Sequence, residues 1–491
     1  MKTPSSTPFG LFSPLLFLHA AVRGGGIVLF LFLWACAAAD RPVPPPAPLP
    51  AHFAASGAEK VAEQWWRAFQ DPILDDLIKR ALSGNLTLRS AWDRLSQAEA
   101  QARKAGAELV PALTGEAGIA HRREWGDGAE QAGDTAFLGL VVAYEVDLWG
   151  RIRSAREAAA LDAGAAGEDL QAAAQTLAAE VAGTWYQLTE EQAQLELLDR
   201  QRVVLEQVLE LVSLRFRRGQ VGAADVLRQR QLVEDNRGEW ALAAARAEVL
   251  AHRLAILLGL APTERVVDPV TILAALPPLP ATGVPLALLQ RRPDLRSAWL
   301  RVRAADQRTA AALADRFPRL GLSARVGSEG GQGAKLFSNW LVDLAANLVG
   351  PVFDGGFRQA EVERSGSEAV EALNLYRQAA LVAIGEVEDA LSREARQQDF
   401  VRRLENQLAM AEQVGERVRD RYLRGNLDYL RVLDALLNRQ GLERSHLTAR
   451  RQLLQNRIDL YRALAGGLAL SVPSASPSIN TENPAKEGPA S

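Results

Sequence analysis

Cysteine is nearly absent from this chain of 491 residues: the single Cys36 rules out an intrachain disulfide framework. Histidine is scarce as well. The five residues His19, His52, His121, His252 and His446 are too scattered to form a legible metal-ligand cluster. Neither sign of charge dominates, since 56 Lys and Arg against 59 Asp and Glu leave a net charge of −3, which argues against a nucleic-acid partner. Arg and Glu alternate instead of clustering, the pattern of solvated helix faces. No GxSxG elbow, phosphate loop or HExxH motif occurs, so no catalytic residue, metal or cofactor is assigned. Gly327–Gly333 is glycine-rich but lacks the strand–loop–helix context of a phosphate loop, and reads as a surface loop between strands.

Proline is missing throughout Phe357–Arg424, and there the apolar residues recur at helical spacing among Ala, Glu and Arg. Such a helix would be about 100 Å long at 1.5 Å per residue, against an average of roughly 11–12 residues in globular domains. It ends at Arg421-Tyr422-Leu423-Arg424-Gly425, a cationic last turn followed by the glycine that a left-handed C-cap favours. Leu430, Leu433 and Leu437 then restart an apolar stripe, so the chain turns and comes back.

The chain is one unit written twice. A shift of 206–207 residues places Trp92 on Trp299, Pro111 on Pro318 and Gly150 on Gly356. The same shift places Arg215-Phe216-Arg217-Arg218-Gly219 on Arg421–Gly425, and Val226-Leu227 on Val432-Leu433. Each half is expected to hold a first helix (about 72–109 and 286–316), two short non-helical segments, a long rod (151–217 and 357–424), and a return helix (224–260 and 428–468). The domain boundaries expected from this plan are 1–35 signal peptide, 36–58 Pro-rich tether, 59–261 first repeat, 262–285 Pro-rich linker, 286–470 second repeat and 471–491 disordered tail.

The non-helical segments bear on function. They are the stretch after Pro111 as far as His121, then Phe137–Asp147, Leu320–Val326 and Trp340–Phe353. Each is near the 9–11 residues of a transmembrane β-strand. They read equally as two soluble hairpins. If they span a membrane, four strands cannot close a barrel, and open edges are not tolerated in lipid. The barrel would then be shared, and three chains would supply twelve strands with symmetric closure.

At the N-terminus, Ile27–Leu33 has the length of a signal-peptide core and is too short to span a membrane. It leads into Leu33-Trp34-Ala35-Cys36, which resembles a bacterial lipoprotein cleavage box with Cys36 as the acylated residue. Trp34 stands where a small residue is usual, and a plain signal peptide with an incidental cysteine is the alternative. A Pro-rich stretch, Arg41–Pro46, follows.

Several motifs together resemble one family. Tyr144-Glu-Val-Asp-Leu-Trp-Gly-Arg-Ile-Arg153 is similar to the start of the first long helix in TolC-like outer-membrane factors. Gly350-Pro-Val-Phe-Asp-Gly-Gly356 resembles its counterpart in the second repeat, as do Arg291-Arg-Pro-Asp-Leu295 and Glu386-Val-Glu-Asp-Ala-Leu391 elsewhere in that repeat. The likeness covers about residues 60–468 and points to the NodT-type lipoprotein branch of resistance-nodulation-division efflux systems. It implies a mainly α fold with a small β part, in two tandem repeats. It further implies a homotrimer whose 12-strand outer-membrane β-barrel continues into a periplasmic α-helical barrel. Such a protein is a passive exit duct for small molecules, partnered by a periplasmic adaptor, an inner-membrane pump and outer-membrane lipid.

By the same resemblance Arg218, Gly219, Arg424 and Gly425 would touch the adaptor, although the glycines could simply cap helices. Arg215, Asp420 and Arg421 would be candidates for the periplasmic aperture. Arg419 occupies the place where the family's aspartate is expected, one residue before Asp420. Trp149 would be an aromatic anchor at the membrane interface or a packing residue. The competing readings are a duct for type I protein secretion and a periplasmic coiled-coil scaffold lipoprotein without a pore.

Overall fold

A computed structural model describes residues 50–126, 129–331, 337–468 and 470. The expected signal peptide, Cys36, the Arg41–Pro46 stretch and the expected tail lie outside the described residues.

The first repeat opens with a two-residue strand, β1 (Glu59–Lys60), and a short 3-10 turn at Trp65–Phe69. The first helix, expected over 72–109, is two: α1 (Pro72–Gly84) and α2 (Leu86–Ala107). Asp71 caps α1 by accepting the Ile73 and Leu74 N–H groups at 3.0 and 3.1 Å, with Pro72 pre-set for the first helical position. Asn85 breaks the helix because its extended backbone lets its side chain cap α2, accepting the Leu88 N–H at 2.9 Å. The same amide donates to the Leu257 carbonyl at 2.9 Å, which ties the elbow to a distant helix end.

Next come the strands β2 (Ala112–Gly126) and β3 (Ala129–Val146), the rod α3 (Arg151–Arg217) and the return helix α4 (Ala223–Leu257). The second repeat follows the same order: β4 (Pro280–Ala281), α5 (Pro285–Arg291), α6 (Pro293–Ala314), β5 (Arg319–Gly331), β6 (Trp340–Val349), α7 (Phe357–Leu423) and α8 (Tyr429–Leu464). Its first helix is broken at Arg292, the residue equivalent to Asn85. Here Pro293 does the work, since a residue before proline is pushed out of the helical region. Three strands, β2, β3 and β5, run further than expected, and most of the polar stretch between Phe137 and the preceding segment is β-structure, whereas β6 stops at Val349, short of the expected Phe353.

Both rods have 67 residues, about 100 Å at 1.5 Å per residue. Each is preceded by a glycine in the left-handed region, φ 80° at Gly150 and 87° at Gly356, where a side chain is disfavoured. Glycine has no side chain with which to cap, so an upstream aspartate serves instead. Asp147 accepts the Ile152 and Arg153 N–H groups at 3.1 and 2.9 Å. Asp354 accepts those of Gly356 and Arg358 at 3.1 and 3.3 Å.

The main core is a girdle where both repeats meet the N-terminal turn. Trp65, Trp66, Phe69, Trp185, Tyr186 and Tyr461 are buried there, with Trp65 stacked on Tyr461 at 5.6 Å. All three indoles reach an acceptor: Gln175 for Trp65 (3.0 Å), Asp75 for Trp66 (3.0 Å) and Asp71 for Trp185 (2.8 Å). The segments between and before the repeats pack onto this body. Phe53 is buried among Ala380, Ala383 and Val387, and β1 pairs in parallel with β4. Arg457 and Glu394 form a fully buried ion pair, and the Arg457 Nη1 also donates to the carbonyls of Pro277 and Pro278. The linker is thus strapped to α8.

Candidate functional site

The four long strands form one antiparallel sheet in the order β2-β3-β5-β6, so the two repeats are joined between β3 and β5. Alternate strand residues face opposite ways, and the pairing therefore assigns every side chain to a face. Leu140 lies opposite Gly115 on β2 and Val326 on β5, and Val326 lies opposite Val342 on β6. Extending these pairs puts Leu113, Gly115, Ala117 and Ile119 on one face with Leu138, Leu140, Val142, Tyr144 and Val146. Leu320, Leu322, Ala324, Val326 and Ser328 of β5 join them, as do Trp340, Val342, Leu344, Ala346 and Leu348 of β6. No charge interrupts this face. Its first ionisable side chains are His121 and Asp134, whose Nδ1 and Oδ1 lie 2.6 Å apart beyond one end of the apolar band.

The opposite face carries Thr114, Glu116, Glu145, Arg319, Ser323, Arg325, Asp343 and Asn347. Glu116 and Arg325 approach to 3.6 Å past Gly139, whose missing side chain leaves the gap. Phe137 covers the opposite glycine, Gly118, where an added Cβ would come within 2.6 Å of its ring. The apolar band runs ten residue steps along β3, from Ala136 to Val146. At about 3.3 Å per residue and a tilt of about 40°, it would stand roughly 25 Å tall, the height of the lipid-facing band of an outer-membrane barrel. β2 and β6 leave free edges, and every residue of β6 is exposed. Among the described residues no helix is long and apolar enough to cross a membrane.

Trp149 sits at the junction of sheet and rod. Its ring stacks on Phe317 at 4.8 Å and its Nε1 donates to the Pro318 carbonyl at 2.8 Å, so it binds the first repeat to the end of α6 while half its surface stays exposed. Phe317 was missed by sequence reasoning, although its place before Pro318, the repeat mate of Pro111, could have drawn attention to it. Two of the quoted motifs meet in space: Arg292 donates to Glu386 at 2.7 Å and to Asp294 at 2.7 Å.

At the far ends of the rods the two Arg-aromatic-x-Arg-Gly turns fold alike. Gly219 has φ 68° and Gly425 φ 78°, and in each the next N–H reaches back to the arginine carbonyl, Gln220 to Arg215 at 2.9 Å and Asn426 to Arg421 at 3.0 Å. Arg218, Gly219, Arg424, Gly425, Asp420 and Arg421 are all exposed. Arg215 is partly covered, with its guanidinium over the Tyr422 ring. Val212, Val226, Tyr422, Tyr429 and Leu433 form a small core behind the turns. There the Tyr429 hydroxyl donates to Gln229, whose amide nitrogen donates to the Leu205 carbonyl at 2.8 Å. Burial, with Tyr422 and Asp225 nearby, pushes the Tyr429 phenol up to about 12.

A sheet with one uninterrupted apolar face and one charged face, continuous with paired rods of about 100 Å, defines the protomer of an outer-membrane channel. Residues 77–260 and 284–466 each match the outer membrane efflux protein family, and the chain belongs to that family. It is 31% identical to the pyoverdine export outer membrane protein OpmQ of Pseudomonas aeruginosa, over 89% of this chain and 95% of that protein. It is 31% identical to the toluene efflux pump outer membrane protein TtgC of Pseudomonas putida, over 89% and 92%. Among solved structures it resembles the outer-membrane channel OprN, with TM-score 0.81 and 29% identity over 87% of this chain and 98% of that one. VceC of Vibrio cholerae gives TM-score 0.76 at 25% identity over 83% and 99%. The family is one of outer-membrane efflux channels, not of enzymes.

Proposed function

We propose that three copies of this chain close a 12-strand barrel in the outer membrane. Their rods would form a periplasmic tube that carries small molecules passively outward from an inner-membrane pump. The observation that carries this reading is the two-faced sheet with two unpaired edges, because an open edge in hydrocarbon leaves backbone groups unsatisfied. The names of the relatives, which export pyoverdine or toluene, favour small-molecule cargo. In this reading Arg218, Gly219, Arg424 and Gly425 meet the adaptor, Arg215, Asp420 and Arg421 line the aperture, Trp149 sits at the membrane interface, and Cys36 carries the lipid.

The joint inside the chain serves as a template for the joint between copies. Gly139 faces Gly327 where the first repeat meets the second. The repeat equates Gly139 with Ala345 and Gly327 with Ala120, since Ala112 pairs with Ala143 as Arg319 pairs with Val349. β6 of one copy should therefore pair with β2 of the next, Ala345 opposite Ala120. The variant with Ala120→Cys and Ala345→Cys is expected to form cross-linked dimers and trimers on oxidation in membranes. The variant with Ala120→Cys and Leu341→Cys, shifted by four residues on the same face, should not. Cross-linking in neither variant, together with a monomer by light scattering in detergent, would sink the proposal.

A further inference from the structure

The charged face of the sheet is not evenly balanced. Between Thr135 and Ala143 of β3, the paired residues on that face include four charges: Glu116 on β2, Arg325 and Glu329 on β5, and Asp343 on β6. Arg325 is the one cation among them. Its guanidinium lies 3.6 Å from Glu116 without a hydrogen bond, and half of its side chain is exposed. Asp343 stands opposite Arg325 in the pairing, and both Asp343 and Glu329 are exposed. One guanidinium can neutralise only one of the three carboxylates, which leaves −2 per chain. Toward the rods the same face is balanced, since Glu145 pairs with Arg151 at 3.0 Å and Arg319 pairs with Asp315. Beyond Thr135 the pairing continues through one residue of each sign, Arg122 and Glu124 of β2. The repeat does not duplicate the Glu116–Arg325 contact, because a shift of 207 places these residues on Ser323 and Gly118. The contact therefore occurs once per chain, where the first repeat meets the second.

We propose that Arg325 is the specificity-determining residue of the barrel, the one cation that moderates a cation preference imposed by Glu116, Glu329 and Asp343. This rests on the shared barrel, in which the charged face lines the lumen. Twelve strands about 4.8 Å apart and tilted about 40° enclose a backbone circle roughly 24 Å across. No point of that lumen is more than about 12 Å from the wall, close to one Debye length at about 0.1 M salt. Fixed charges on the wall therefore act on every ion that passes, without touching it. Three chains carry −6 in this stretch, and the same stretch without Arg325 carries −9. The lumen favours neutral and cationic small molecules, and Arg325 limits the bias against anionic ones.

The test is the reversal potential of the full-length protein in planar bilayers under a potassium chloride gradient from about 10 mM to about 100 mM, where screening is weak. Arg325→Gln should raise the potassium-to-chloride permeability ratio about twofold over the parent. Arg325→Lys should keep the parent ratio, and Asp343→Asn should lower it. The differences should vanish near 1 M salt, where the Debye length falls to about 3 Å. Each variant is compared after equal recovery of heat-resistant oligomer. A ratio unchanged in Arg325→Gln, or raised equally by Arg325→Lys, overturns the proposal, as does a difference that persists near 1 M. If Arg325→Gln does not assemble, an unchanged ratio in Asp343→Asn overturns it instead. In all these cases a conducting oligomer leaves the shared barrel standing, whereas a parent protein without conductance steps overturns both.

Discussion

The guanidinium of Arg215 lies 4.2 Å from the ring centroid of Tyr422, joining the last turn of one rod to the last turn of the other. The two residues belong to different repeats, Arg215 being the first and Tyr422 the second residue of its own Arg-aromatic-x-Arg-Gly turn. The contact holds the two rod ends together through the weak attraction of a cation for an aromatic face.

Arg215→Ala removes that contact and is expected to raise single-channel conductance in planar bilayers. Asp420→Ala is expected to act in the same direction through the aperture. An unchanged conductance in either variant would take that residue out of the closure.

Adjacent residues on β6 should behave oppositely. Leu344 is 80% exposed in the single chain and lies on the apolar face, whereas Ala345 lies on the charged face. Leu344→Arg should cost about 2–4 kcal/mol in lipid, the figure for arginine at the midplane of an outer-membrane barrel. Ala345→Arg should cost little. The amount of heat-resistant oligomer recovered from membranes compares them; equal losses would mean that the faces are misassigned.

Asp147→Ala deprives two backbone N–H groups of their acceptor and should cost about 1 kcal/mol, as loss of a helix cap does. Burial alone would raise the Asp147 carboxyl. The Arg153 and Ile152 N–H groups and the Arg153 guanidinium outweigh it and hold it below its usual 3.8. The stabilisation is therefore fully present above about pH 4 and is lost as pH falls through the lowered value. Melting curves of parent and variant should differ at pH 7 and converge toward pH 2.

Arg457→Met leaves Glu394 buried and unpaired, at a cost of about 3–5 kcal/mol. It also frees the Pro277 and Pro278 carbonyls, so limited proteolysis should cut the 262–285 linker sooner than in the parent. The double variant Arg457→Met with Glu394→Leu should recover most of the thermal stability, because it leaves no orphaned charge. The faster linker cleavage should persist, since the strap is still missing.

Some of this was legible in the sequence because it depends on neighbours along the chain. Helix periodicity and the absence of proline placed both rods, with bounds that match to within a residue, and glycine after a cationic turn placed both tips. The elbows at Asn85 and Arg292 were not read. A side-chain cap inside a good helical pattern looks like an ordinary polar residue, and Pro293 falls within a family motif that by itself does not mark a break. The sequence pattern places all four strands but shortens β2, β3 and β5, because their outer ends are polar and rich in glycine, the composition of a loop; it overruns β6, whose apolar pattern continues through Val352 and Phe353 past the strand's end at Val349.

The sequence by itself determined the rods, the turns and the four strand segments, since each needs only the residues within a few positions, and the two-fold repetition, since self-similarity at a shift of 206–207 residues is visible without any fold. Only the tertiary structure decided which residues share a face of the sheet, because a shift of one position exchanges the faces and alternation here is imperfect within any single strand. Pairing across β2, β3, β5 and β6 resolved it, gathering an unbroken apolar surface from segments that look mixed when taken alone. The Arg457 strap and the Arg215–Tyr422 contact were likewise decided by packing. Each joins residues tens to hundreds of positions apart, a distance at which burial and the need to satisfy polar groups leave no local sequence signal.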